Sequence, residues 1–249
     1  MPETRQRRPA NTGFLSIPAG GGVDPHWHEQ HQIVYAGRGV LSVTTEAGSW
    51  IAPANRAIWV PAGTLHQHRA YGETALHTVG LTENPLGLDA PSALVVSSLL
   101  RELILTYTSA EDTGDDDGDA DERQRLHAVL LDQLRRSPQR PTYLPTPRNP
   151  RLAAVCKLLQ DDPADNRTLT ELGRQIGASE RTLSRLCRAD LGMTFPQWRT
   201  QLRLHTALRL LAGGDSVTRV AHQCGWASTS AFIDTFRRAF GHTPGSRSA

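Results

Sequence analysis

The chain has 249 residues, room for two domains, and its 38% hydrophobic content is that of a soluble globular protein. The net charge of +2 is unevenly spread: residues 1–150 carry 13 Arg against 17 Asp and Glu, whereas residues 151–249 carry 13 Arg and one Lys against 8, so the second part suits a polyanionic partner. No run approaches the roughly 18 apolar residues of a membrane-spanning helix, and Cys156, Cys187 and Cys224 form no Cys-x-x-Cys pair, which argues against membrane insertion, a disulfide framework or a zinc finger and for a cytoplasmic location.

Residues 1–13 are polar and basic, without the apolar stretch of a secretion signal. From about Phe14 to Leu81, short β-prone runs such as "QIVYAG", "GVLSVTT" and "AIWVPAG" alternate with Gly, Pro and Asn, which predicts a sandwich or barrel. "SALVVSSLLRELILTYT" (Ser92–Thr108) changes to a helical period through Leu94, Leu99 and Leu103. The acidic stretch 109–122 reads as a solvated loop. A second helix is expected over Arg123–Arg136, with Leu126, Val129, Leu130 and Leu134 on one side. These two helices either mediate homodimerisation or pack on their own barrel. Five prolines in fourteen residues then mark an extended linker over 138–150. The sensor domain is thus expected at 14–137 and a helical domain at 151–249.

The helical part contains an internal repeat. Leu169, Leu172, Gly173 and Gly177 recur as Val217, Val220, Ala221 and Gly225 at an offset of 48, and Leu183, Arg185 and Cys187 as Phe232, Asp234 and Phe236 at 49. Each copy reads as helix, glycine turn, helix: a helix-turn-helix that would enter the major groove of DNA. Between them, one long helix with Trp198, Leu202, Leu208 and Leu211 on one face ends at Gly213-Gly214.

On "GASERTLSRLCRADLGMTFPQWRTQLRL" and "VAHQCGWASTSAFIDTFRRAFGHTP", residues 151–249 resemble the DNA-binding domain of AraC/XylS-type transcription regulators. The resemblance implies two recognition helices. The first would span about Glu180–Arg188, with Arg181, Thr182, Ser184 and Arg185 toward bases, Arg188 at its end, and Leu183 and Leu186 inward. The second would span about Thr229–Arg238, with Thr229, Ser230, Ile233 and Asp234 toward the groove and Arg237 and Arg238 on phosphate. Asp234 departs from the Arg common in the family and repels phosphate. The implied partners are double-stranded promoter DNA and RNA polymerase.

The N-terminal stretches "GGVDPHWHEQHQIVYAGRGVLSV" and "GSWIAPANRAIWVPAGTLHQH" resemble the two cupin motifs, most closely those of the cupin-bearing subgroup that includes nitroimidazole-resistance regulators. The fold class implied is α+β: a cupin-like barrel with flanking helices, followed by an all-α domain with two helix-turn-helix motifs. Strand alternation puts His26, His28 and Gln32 on one face and Trp27 and His31 on the other. His66 joins from the second motif, His68 at the pocket rim, and Tyr35 and Trp59 are candidate pocket aromatics. His26, His28 and His66 could ligate a divalent metal. Gln32, however, stands where the family pattern has a carboxylate, which tilts the expectation toward a small-molecule effector. A purely structural role for the histidines is the third possibility. A sensor for a DNA-binding domain, and not an enzyme, is the function expected.

Overall fold

The computed structural model describes residues 6–109, 120–139 and 142–246. They form two compact units, one built mainly from residues up to Thr142 and one from Tyr143 onward, the latter also holding Ala47–Ser49. The first unit contains β1 (Gln6–Arg7), β2 (Gly13–Ile17), β3 (Gly22–Trp27), β4 (His31–Thr44), β5 (Gly48–Pro53), β6 (Arg56–Val60), β7 (His66–Leu81), β8 (Ser92–Val95), α1 (Ser98–Ser109) and α2 (Ala120–Arg136). The second contains β9 (Tyr143–Pro145), α3 (Pro150–Asp161), α4 (Leu169–Ile176), α5 (Glu180–Asp190), α6 (Phe195–Ala212), α7 (Val217–Gln223) and α8 (Thr229–Phe240).

In the first unit, the cupin-like barrel is organised by β4 and β7, antiparallel from His31↔Leu81 to Thr44↔Gln67, with register shifts around Arg38 that bend the pair. β3 joins β7 at Val23↔His68 and His26↔His66, and β6 joins β4 at Gln32↔Val60 and Ile33↔Trp59. Residues opposite one another share a face. Ile33, Tyr35, Trp59 and Val79 therefore look outward, where they meet Leu100, Leu103, Ile104, Leu130 and Leu134 in a continuous core. The apolar faces of α1 and α2 are thus spent on their own barrel, leaving Leu99 and Val129 exposed.

The single helix expected over Ser92–Thr108 is in fact a strand and a helix. Residues Ser92–Val95 extend the sheet by pairing β8 with β6, and the Ser97 hydroxyl accepts from Leu100 N to start α1. α2 begins three residues earlier than expected, with Asp121 and Glu122 in its first turn complementing the dipole. Of the acidic stretch, residues 110–119 lie outside the described residues, and 109 and 120–122 belong to helices.

In the second unit the repeat is visible in hydrogen bonds. Ala178 N donates to Gly173 O at 2.9 Å, and Trp226 N to Ala221 O at 3.0 Å, while Gly177 and Gly225 take φ of 69° and 73°. A Cβ on Gly173 would sit 2.4 Å from Ala178 O. Each second helix opens on a serine cap, Ser179 or Ser228. α6 differs from the one-faced helix expected: Trp198 and Leu202 join the first motif's core, but Arg203, Leu204, His205 and Ala207 are buried too, and Leu211 is only half-buried. The proline-rich stretch is not all linker, since Trp198 Nε1 donates to Pro145 O, Asn149 caps α3, and Asp190 accepts from the backbone N–H of Arg148 and Asn149 at 2.8 Å each.

Candidate functional site: a histidine cluster and two recognition helices

Inside the first unit, alternation along β3 and β7 and the His26↔His66 register bring four imidazoles together. Ring centroids of His26 and His66 are 4.4 Å apart, His66 and His68 5.0 Å, His28 and His66 4.9 Å, and His26 and His68 5.5 Å. All four residues are buried. The turn before His66 is tied to the first motif, because Gly63, at φ 74°, donates its N–H to His28 O at 2.8 Å.

The tautomers follow from the acceptors. Nδ1 of His26, His28 and His66 faces the carbonyl oxygens of Asp24, Gln30 and Thr64 at 2.8, 2.6 and 2.8 Å. A carbonyl only accepts, so Nδ1 carries the proton and the neutral ring keeps its lone pair at Nε2. Burial disfavours the imidazolium form. It lowers His26, takes His66 down to about 3 and holds His68 well below its ordinary value, with the neighbouring imidazoles adding to the effect.

One ring nitrogen from each of His26, His66 and His68 lies within 4.8 Å of the others. His66 Nε2 and both ring nitrogens of His68 have no hydrogen-bond partner. The grouping differs from the expected trio, for His68 stands in it where His28 was placed. His28 Nε2 instead faces the Gln32 side-chain amide, 3.2 Å from Oε1; with Nδ1 protonated, only the NH2 end of that amide can satisfy its lone pair. The signal for His68 was the repeated His-x-His spacing, 26 and 28 in one motif and 66 and 68 in the other.

Tyr35 and Trp59 do not join the cluster. Both are fully buried in the core beneath α1 and α2, with Tyr35 Oη donating to Ala54 O and Trp59 Nε1 to Leu88 O. Tyr35 is three residues from Gln32 on β4, and an odd separation puts them on opposite faces. His31 also faces away: it stacks on Trp59 at 4.9 Å, and its Nδ1 accepts from Ala62 N. His77, on the outer face of β7, pairs with Thr108 Oγ1 at 2.7 Å.

In the second unit, α5 exposes Arg181, Arg185 and Arg188, with Thr182 and Ser184 half-buried and Leu183 fully buried. Thr182 is partly used locally, its Oγ1 lying 2.9 Å from Ser179 Oγ. α8 exposes Ser230, Asp234, Arg237 and Arg238, with Thr229 and Ile233 half-buried. Asp234 forms an exposed pair with Arg237 at 3.6 Å, and its carbonyl accepts from Arg238 Nε. Sequence reasoning missed Arg203. It is buried, donates to Pro163 O and Asn166 Oδ1, and lies over the Trp226 ring, fastening the loop before α4 to the turn of the second motif.

Comparison with known proteins matches residues 13–81 to the cupin domain family and residues 172–247 to a helix-turn-helix domain family. Over 239 residues, 95% of this chain and 84% of the other, the sequence is 33% identical to the HTH-type transcriptional regulator NimR of Escherichia coli K12. It is 41% identical over 101 residues to the HTH-type transcriptional regulator RipA of Corynebacterium glutamicum, covering 41% of this chain and 30% of that one. A crystal structure of a DNA-binding transcriptional dual regulator from E. coli K-12 aligns at 31% identity with a TM-score of 0.36, over 39% of this chain and 87% of the other. No described helix is long and apolar enough to cross a membrane.

Proposed function

The chain belongs to the AraC-type family of transcription regulators, in its cupin-bearing form, and we propose that its DNA binding is governed by a ligand held at the histidine cluster. The observation that carries this is the set of buried ring nitrogens without partners, His66 Nε2 and both of His68. A buried polar atom left unpaired costs about 1–3 kcal/mol. Three such atoms in one place are readily accounted for by a partner from solution.

The donors fit a divalent transition-metal ion. Neutral imidazoles suit zinc, iron, nickel or copper, and Nδ1–H bonds to backbone carbonyls orient such ligands. His26, His66 and His68 would hold the ion, which would link β3 to β7 and offer open positions to further ligands. Gln32 stands where the family pattern has a carboxylate, so the trio brings no negative charge of its own to the ion. The His28–Gln32 pair favours a second reading, an organic effector hydrogen-bonded inside the barrel.

On the DNA side, Arg181, Thr182, Ser184 and Arg185 of α5 and Thr229, Ser230, Ile233 and Asp234 of α8 would meet base edges, with Arg188, Arg237 and Arg238 on phosphate. The test is a gel-shift titration on the promoter of the protein's own gene, using metal-stripped protein with and without zinc or nickel. A change in affinity that His66→Leu abolishes supports the ion. Unchanged affinity, together with no metal retained on purification, favours the organic effector.

A further inference from the structure

If His26, His66 and His68 hold a divalent ion, as proposed above, its charge has no protein counter-charge. No Asp or Glu joins the three imidazoles among the described residues. The carboxylates nearest in sequence lie outside the trio. Asp24 is exposed and offers His26 only its backbone carbonyl, and Glu29 is exposed and paired with Arg7 at 2.7 Å. Gln32, the polar neighbour of His28 in the cavity, is a neutral amide.

A dication taken out of water among uncharged ligands is strongly disfavoured unless a negative charge accompanies it. We propose that this site takes its ion together with an anion: a small carboxylate-bearing molecule whose oxygen completes the ion's shell and whose charge replaces the carboxylate the protein lacks. Gln32 sets the requirement, because a glutamate there would supply the charge internally. Three protein ligands leave a coordination position open for an exogenous oxygen. His68 also lines a surface cleft of about 220 Å³ with residues 20–24 and 67–69, Asp24 and Arg69 among them. The signal read by the regulator is then joint, the ion and the anion each raising the affinity for the other.

The test is calorimetric titration of metal-stripped, full-length protein with zinc perchlorate, in buffer containing either perchlorate or acetate as the added anion. Saturating acetate raises the zinc affinity about tenfold or more, and perchlorate does not. Gln32→Glu binds zinc tightly in perchlorate, and acetate adds nothing. Zinc affinity in the wild type that is unchanged by acetate overturns the proposal and leaves the ion site standing. Absence, in both buffers, of any zinc binding that His66→Leu removes overturns the ion site itself. An acetate effect that survives Gln32→Glu overturns the role of Gln32. Should Gln32→Glu fail to fold, the wild-type titrations alone still decide whether an anion is required.

Discussion

The rings of His66 and His68 lie 5.0 Å apart, buried, two residues apart on one face of β7, and between them three ring nitrogens have no hydrogen-bond partner. Such an arrangement works against folding in the absence of a ligand. Replacing His68 with leucine removes two unpaired polar atoms and fills the space with an apolar side chain. His68→Leu is therefore expected to stabilise the ligand-free protein by about 1–3 kcal/mol, measured by urea denaturation, while abolishing metal binding. A variant that is both less stable and still competent to bind would contradict the assignment of this pair as a ligand site.

The same burial gives a pH dependence of fixed sign. His26, His66 and His68, and His77 at about 4, all have folded-state values below the ordinary 6.5, chiefly through desolvation. Below pH 6.5 the unfolded chain takes up protons that the folded rings refuse. Stability of the metal-free protein is thus full above that pH and falls as pH drops toward 4, by up to about 1.4 kcal/mol per pH unit for each histidine. Urea midpoints between pH 7.5 and 5 should show this decline, and His66→Leu should make it shallower. A midpoint independent of pH across that range would mean that the rings are solvated in the folded state and take up protons as they do in the unfolded chain.

These two predictions rest on residues that the sequence only partly disclosed. The repeated His-x-His spacing and period-two alternation suffice to put His26, His28, His66 and His68 inside. Which three of them converge depends on the β3–β7 register and on Gln32 engaging His28, and these are tertiary facts. Tyr35 and Trp59 suggest a ligand cage by their chemistry, yet Tyr35 is an odd number of residues from Gln32, so parity alone puts it on the other face. Ser92–Thr108 contains enough spaced leucines to pass for one helix; an available edge on β6 claims its first four residues as a strand. The helix-turn-helix repeat was the most legible part, because glycine turns and buried positions recur at a fixed offset. Arg203 escaped notice because two of its partners are backbone carbonyls, which leave no trace in a side-chain pattern, and because Asn166 and Trp226 meet it only through the tertiary fold.

The two turn glycines should differ in their tolerance. Gly177 and Gly225 share a left-handed conformation, so alanine at either costs about 1–2 kcal/mol. Around Gly177 a Cβ meets nothing within 4 Å, whereas at Gly225 it would sit 2.7 Å from both Ala164 Cα and an Arg203 guanidinium nitrogen. Gly225→Ala is expected to cost about 1–3 kcal/mol more than Gly177→Ala and to loosen the second motif, where Arg203 fastens it. Denaturation of the two variants side by side checks this, and equal losses would show that Arg203 yields without penalty.

On α5 the guanidinium of Arg185 is exposed, one turn beyond Arg181 and on the face opposite the buried Leu183 and Cys187. On α8 the corresponding position is Asp234, which pairs with Arg237 and so offers the groove no free cation there. The first helix should therefore carry more of the base discrimination, since arginine can grip guanine O6 and N7 together. Arg185→Ala is expected to weaken operator binding by about 1–3 kcal/mol while affecting random DNA far less. Asp234→Ala removes a repulsion toward phosphate and frees Arg237, so it should strengthen binding to random DNA, with a smaller loss of sequence preference than Arg185→Ala. Gel-shift titrations of both variants on operator and random duplexes at one salt concentration separate the cases. An Arg185→Ala loss of equal size on both duplexes would reassign that side chain from base reading to phosphate contact.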